Sequence, residues 1–112
     1  MSHELDEKVA RAMGWVCVDL KATYKWRRPG SPALCQTVNP WSTDYECVPE
    51  MLAWLRSRFT LTEIGVYKDG EVWARGSFDD VDTIDMESPG DTIPEALSRL
   101  VVAVAEAKEA GQ

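Results

Sequence analysis

A short segment near the N-terminus concentrates side chains that could hold an anion. Four bases fall within eight positions and are interleaved with two aromatic residues, in the order Lys21, Tyr24, Lys25, Trp26, Arg27 and Arg28. On a strand, successive side chains point to opposite faces, so the two aromatic rings would share one face while Lys25 and Arg27 share the other. A guanidinium beside an aromatic ring can pair with a phosphate and stack a nucleobase. The spacing therefore indicates a site for an anionic, nucleotide-like ligand that includes Trp26, Arg27 and Arg28.

Two aromatic residues further along the chain, Trp41 and Tyr45, would complete this site because they lie near the predicted start of a helix. The amino-terminal end of a helix carries unpaired N–H groups and a partial positive charge, and both favour anions. The alternative interpretation is structural. In it, Tyr24 and Trp26 face the core and the bases form the solvent side of an ordinary half-buried strand.

Acidic residues crowd a second segment, where Asp79, Asp80, Asp82, Asp85, Glu87 and Asp91 lie within thirteen positions and no base intervenes. Carboxylate clusters can bind Ca²⁺ or Mg²⁺, but this spacing does not match an EF-hand loop. Charges at the edge of a sheet also discourage pairing with other chains. We therefore expect a solvated segment with no metal site, and a metal-assisted hydrolase on Asp79, Asp80 and Asp82 is the least favoured class of function.

Cysteine and histidine are too few for the usual zinc or nucleophilic chemistry. The three cysteines (Cys17, Cys35 and Cys47) include no pair with C-x-x-C spacing, and His3 is the single histidine. A structural zinc needs four ligands, and serine or cysteine nucleophiles need a histidine base held in fixed geometry. A base on the N-terminal segment does not meet that requirement. We expect free cysteines, no cofactor and no enzyme activity.

The composition is that of one folded domain spanning residues 1–112, with 45% hydrophobic and 28% charged residues. Nineteen acids against twelve bases give a net charge of −7, which argues against direct binding to nucleic acid or to an anionic membrane. No apolar run approaches the roughly 20 residues that span a bilayer, and the first residues lack the basic and apolar regions of a signal peptide. The cytoplasm is the expected location.

Helical and alternating apolar spacing predicts the elements of the first half of the chain. They are a helix over 3–13 that Gly14 ends, strands over 15–18 and 23–26, a loop over 28–40 and a helix over 43–59. Thr43 and Glu46 fit a capping box at the start of the longer helix. Pro49 would remove a hydrogen bond inside that helix, so a kink is expected there. The alternative is a loose first turn, with the regular helix starting near Pro49.

The second half contains the clearest hairpin, over 60–67 and 71–78 with Asp69-Gly70 at the turn. A third strand is expected over 81–86, after which Ser88-Pro89-Gly90 should break the chain. Thr92-Ile93-Pro94-Glu95 combines the cap, early proline and acidic third position of a long terminal helix.

These elements together predict an α+β fold. A small antiparallel or mixed β-sheet is layered with two longer α-helices, and a short helix precedes them. Helical spacing places Leu52, Leu55, Leu97 and Val101 in the core.

Four stretches of this chain also match one known pattern in order. They are the opening helix ending in Met13-Gly14-Trp15, the helix start over 39–45, the hairpin with its internal glycine, and the terminal helix start over 91–100. Together they resemble the phage ABA sandwich domain family, small proteins of bacteriophages and prophages. The chain departs from that pattern at Cys47-Val48-Pro49, where the family usually has small helix formers. The resemblance implies a sheet layered between helices and a phage origin, and it implies no catalytic activity.

We expect this protein to act by binding. One expected partner is a small anionic ligand held by Trp26, Arg27, Arg28, Trp41 and Tyr45. The other is a host protein, toward which the negative charge would imitate a nucleic-acid backbone. Analogy with other small phage proteins adds a role in evading host defence, in the host cytoplasm. A homodimer is a further possibility if the thin layered domain exposes apolar surface.

Overall fold

The computed structural model describes residues 2–21, 23–59, 61–77 and 86–109, which form three α-helices and two antiparallel three-stranded sheets. The helices are α1 (Ser2–Ala12), α2 (Val48–Arg56) and α3 (Ile93–Glu109). The first sheet contains β1 (Val16–Asp19), β2 (Tyr24–Arg27) and β3 (Leu34–Cys35), and the second contains β4 (Leu61–Val66), β5 (Val72–Ser77) and β6 (Met86–Gly90). The α+β class is confirmed. The strands divide into two sheets, however, where one was expected, and β3 lies in the predicted loop.

The first helix ends where the sequence predicts, in a left-handed turn at Gly14 with φ +100°. The Trp15 N–H donates to the Ala10 carbonyl at 2.9 Å, and the Gly14 N–H donates to the Arg11 carbonyl at 3.1 Å. This pair of bonds satisfies the last carbonyls of a helix, and glycine adopts the required φ without strain. The turn leads the chain directly from α1 into β1.

A buried hydrogen bond connects α1 to the loop before α2. The Ser42 N–H donates to Asp6 Oδ1 at 2.7 Å, and both residues are buried. Hydrogen bonds to a charged acceptor are stronger than neutral ones, and a buried carboxylate needs such a partner. The bond spans 36 positions and holds the segment containing Trp41 against α1.

The second helix begins later than expected. A short 3₁₀ turn over Tyr45–Cys47 precedes it, and Pro49 falls in the first turn of α2. In the first turn the missing N–H of proline removes no bond within the helix. The predicted kink at Pro49 is therefore wrong, and the alternative of a loose first turn is correct.

The strands β4 and β5 form the predicted hairpin, whose turn contains Gly70 at φ +96°. The strand β6 pairs with the other side of β5 and runs through Pro89, where the sequence predicted a break. Proline is tolerated here because β6 is an edge strand, so its missing donor interrupts no continuing ladder. Of the strand predicted over 81–86, residues 81–85 lie outside the described residues.

The cap of α3 follows the predicted pattern. The Glu95 N–H donates to Thr92 Oγ1 at 3.3 Å, and the Asp91 N–H donates to Glu95 Oε1 at 2.6 Å. In a capping box this carboxylate would accept the N–H of the N-cap residue, Thr92. Here it accepts the N–H of the preceding residue, Asp91.

The core is centred on α3, which packs against β5, β6, α1 and α2. Leu55, Leu97 and Val101 are fully buried, as predicted, and Leu52 is half-buried. The first sheet pairs within itself and adjoins α1 through β1. It therefore lies to one side of the main core.

The outer face of the second sheet is covered by its own side chains. The Trp73 ring occupies the space where a Cβ of the opposing Gly65 would lie. The Arg75 guanidinium lies 4.1 Å from the centre of the Trp73 ring, and Arg75 Nε pairs with Glu63 Oε1 at 3.2 Å. The cation on this face is therefore paired with both an aromatic ring and a carboxylate.

Candidate functional site

Arg27 is the last residue of the central strand β2 and lies on the exposed face of the first sheet. It is opposite Val16 on β1 and opposite Leu34 on β3, and these neighbours are 47% and 44% exposed. Because side chains alternate along a strand, Lys25 shares this face while Trp26 points to the other. The face therefore combines positive charge with exposed aliphatic surface.

Arg28 follows β2 and is held against two neighbours. Its guanidinium lies 5.3 Å from the centre of the Trp15 ring, and Nη2 donates to Asn39 Oδ1 at 3.4 Å. Neither Arg27 nor Arg28 forms an ion pair with a carboxylate of the described residues. We call Arg27 and Arg28 the arginine surface.

Three tryptophans form a buried layer behind this surface. Trp15 and Trp26 are 4% exposed, and Trp41 is fully buried. The Trp15 and Trp41 rings meet edge to face, with centroids 6.1 Å apart and planes at 86°. In this arrangement Trp26 and Trp41 offer no open ring to a nucleobase. The burial of Trp26 fits the structural interpretation of its strand, and ligand binding by either residue stays a prediction.

Tyr45 is 59% exposed at the start of the 3₁₀ turn, between two acidic residues. The predicted capping pair of Thr43 and Glu46 is wrong, because Asp44 Oδ1 accepts the Glu46 N–H at 2.9 Å and so caps this turn. The exposed ring of Tyr45 therefore lies among carboxylates, whereas Arg27 and Arg28 form no ion pair with a described carboxylate. The Tyr24 side chain is outside the described part of the structure.

The start of α2 is electrostatically negative, although a helix N-terminus was expected to attract an anion there. Burial, together with the charges of Asp44, Glu50, Asp6 and Glu46, raises the pKa of the Cys47 thiol from 9.0 to about 11. Carboxylates that disfavour a thiolate disfavour any other anion at the same place. The positive end of this helix is thus already compensated by the chain's own acids.

A groove between α1 and α3 brings together further basic residues that the sequence reasoning missed. It has a volume of about 170 Å³ and is lined by Lys8, Arg11, Ala12, Val102, Ala105 and Glu106. Arg11 also lies 5.3 Å from the centre of the Trp26 ring. Lys8 and Arg11 are three residues apart on one helix, and this spacing predicts that they are neighbours on its surface.

Most of the predicted acidic segment, including Asp79, Asp80, Asp82 and Asp85, lies outside the described residues. Within the described part, Glu87 Oε2 accepts a hydrogen bond from the Tyr67 hydroxyl at 3.3 Å. The same part of the chain contains no group of three or more histidine, cysteine or acidic residues placed to hold a metal ion. It also contains no helix that is both long and apolar enough to cross a bilayer.

Comparisons with known proteins add no relative, since no family model, curated protein or solved structure matches the chain. The resemblance to the phage ABA sandwich domain family therefore stays a prediction.

Proposed function

We propose that this protein acts by binding an anionic ligand on the arginine surface, and that it is not an enzyme. The observation that carries the proposal is the exposure of Arg27 and Arg28 together with their lack of an ion pair to any carboxylate of the described residues. The chain contains nineteen acids that could have supplied such a partner.

The distribution of charge along the chain supports this proposal. Residues 21–28 contain four bases and no acid, whereas the rest of the chain contains eight bases and nineteen acids. An even distribution would place about one base in a segment of that length. An acidic protein with one concentrated positive region attracts anionic groups to that region and repels them elsewhere.

Arginine side chains favour a ligand with phosphate or carboxylate oxygens. The planar guanidinium donates parallel hydrogen bonds to such groups, and the Trp15 ring together with Asn39 restricts the Arg28 side chain. A restricted side chain loses less conformational entropy on binding. We propose a nucleotide-like ligand in which the phosphate contributes most of the affinity, since the buried Trp26 and Trp41 rings offer no stacking surface.

The biological setting in this proposal comes from the resemblance to the phage ABA sandwich domain family. A small phage protein that sequesters a nucleotide-like signal in the host cytoplasm would counteract a host defence that depends on that signal.

Calorimetric titration with adenosine 5′-monophosphate and 5′-diphosphate tests the proposal. Arg27→Ala and Arg28→Ala should each weaken binding by about 1.5–3 kcal/mol, the usual contribution of a charged hydrogen bond. Lys68→Ala, at the hairpin turn of the second sheet, removes one charge elsewhere and should leave the affinity unchanged. Equal binding by all four proteins, or no binding of either nucleotide by the wild type, would contradict the proposal.

The acidic side of the molecule supports a second candidate, an inhibitor that imitates a nucleic-acid backbone. Burial raises the pKa of Cys47, and four carboxylates near the start of α2 raise it further, so negative charge is concentrated there. In this case Glu46→Gln with Glu50→Gln should reduce capture of a DNA-binding host protein, and Arg27→Ala should not. Capture that depends on Arg27 and not on these glutamates would contradict this second candidate.

A further inference from the structure

The groove between α1 and α3 combines charged and apolar walls. Lys8 and Arg11 supply two positive charges from one helix, and Glu106 supplies one negative charge from the other. The remaining lining residues are Ala12, Val102 and Ala105, all half-buried. A ligand that matches these walls carries a negative group at one end and an apolar group at the other.

The Arg11 side chain also contacts an aromatic ring. Its guanidinium lies 5.3 Å from the centre of the buried Trp26 ring, and a cation over an indole face is attracted by the ring's electron density. Neither Arg11 nor Lys8 forms an ion pair with a described carboxylate. Positive charges in the last turns of a helix also interact favourably with its dipole. This effect explains why the two residues are basic, but it does not explain the groove beside them.

We propose that this groove binds a small amphiphilic anion, a phosphate or carboxylate attached to one aromatic ring or a short alkyl chain. The anion pairs with Arg11 and Lys8, and the apolar part lies against Val102 and Ala105. Sites for drug-sized ligands have volumes of roughly 300–1,000 Å³. A groove of about 170 Å³ therefore suits a smaller molecule. This site is separate from the arginine surface and does not depend on the proposed function.

The test uses phenyl phosphate as the probe and inorganic phosphate, which lacks the apolar ring, as the comparison. Binding of both is measured by calorimetry on the full chain. Phenyl phosphate should bind measurably and more tightly than inorganic phosphate, because only the former contacts the apolar wall. Arg11→Gln and Lys8→Gln should each weaken phenyl phosphate binding about tenfold or more, as expected for a lost charged hydrogen bond.

A third variant separates shape from charge. Ala105→Leu keeps both bases but fills the groove, so it should also abolish phenyl phosphate binding. Lys68→Gln is the matched control, because it removes one positive charge at the hairpin turn of the second sheet, and it should bind phenyl phosphate like the wild type. The groove variants should show the same losses when they are made in a chain that carries Arg27→Ala and Arg28→Ala, which keeps this test distinct from that of the arginine surface. Circular dichroism checks folding, and Lys8→Gln serves if Arg11→Gln is destabilised. The proposal is overturned if the wild type does not bind the probe, if inorganic phosphate binds as tightly, or if the folded groove variants bind unchanged.

Discussion

An arginine lies over a tryptophan ring on the second sheet and another does so beside the first sheet, but the surroundings of the two cations differ. In the second sheet, Arg75 lies over Trp73 and also pairs with Glu63 at 3.2 Å. Beside the first sheet, Arg28 lies over Trp15 without an ion pair to any described carboxylate. The cation–aromatic contact is therefore common to both regions, and the ion pair distinguishes the structural arginine from the candidate binding one.

The central strands also orient their tryptophans in opposite directions. Trp26 on β2 faces inward and is 4% exposed, whereas Trp73 on β5 is half-buried on the outer face above Gly65. The first sheet thus contributes its aromatic ring to the core and presents its bases to solvent. The second sheet contributes small side chains such as Ala74 to the core and covers its outer face with an aromatic ring.

The largest expected effect is the loss of stability when a fully buried tryptophan, Trp41, is removed instead of the half-buried Trp73. Trp41→Ala should lower the free energy of unfolding by about 3–5 kcal/mol, because a fully buried ring leaves a cavity. Trp73→Ala should cost only about 1–2 kcal/mol, since that ring is partly exposed. Urea denaturation of both variants measures the difference. An equal or larger loss for Trp73→Ala would show that the outer face of the second sheet is as important to stability as the buried layer.

The close approach of Gly65 and Trp73 gives the next effect. Gly65→Ala should destabilise the fold by about 1–3 kcal/mol, because the added Cβ overlaps the indole ring and forces it to move. The double variant Gly65→Ala with Trp73→Ala should recover most of that loss in a double-mutant cycle. Additive losses in the cycle would mean that glycine is required for a reason other than the ring.

The pH dependence of stability reports the surroundings of Cys47, where burial and neighbouring carboxylates both disfavour the thiolate. Because the folded-state pKa of Cys47 is raised from 9.0 to about 11, folding favours the protonated thiol. This contribution is complete below about pH 9 and is lost as the pH rises toward 11. Wild type should therefore lose stability over this range relative to Cys47→Ala, and Cys47 should react with iodoacetamide more slowly than Cys17 and Cys35. Fast alkylation of Cys47 in the folded protein would argue against a buried thiol with a raised pKa.

The smallest effect tests the charge comparison itself. Arg75→Ala should cost about 0.2–1 kcal/mol of stability, the usual range for an exposed ion pair. Arg27→Ala should change stability by no more than about 0.5 kcal/mol, because no described ion pair is lost. The loss for Arg75→Ala should fall in high salt and that for Arg27→Ala should not. A salt-dependent loss for Arg27→Ala would place a carboxylate partner beside it.

Local signals in the sequence were sufficient for several elements. The helix end at Gly14, the hairpin turn at Gly70 and the cap at Thr92 each depend on a few neighbouring residues, and all three are confirmed. The kink predicted at Pro49 is wrong because an early proline and an interior proline look alike until the first helical residue is known. The break predicted at Pro89 is wrong because only the tertiary structure identifies β6 as an edge strand.

The candidate site was harder to predict than the elements. Alternation along β2 gave the exposed side of Arg27 correctly, but the same pattern fits Trp26 either as a ligand platform or as a core residue. The groove between α1 and α3 involves residues more than 90 positions apart, such as Lys8 and Val102. Spacing along the chain carries no information about such a pair.

The bond between the Ser42 amide and the Asp6 carboxylate provides a natural reporter of local opening. This amide is shielded from solvent while α1 is docked, so its hydrogen-exchange rate measures how often the N-terminal helix leaves the rest of the protein. The same helix supplies Lys8 and Arg11 to the groove. A molecule bound in the groove should therefore slow exchange at Ser42, at a position that the molecule itself does not line.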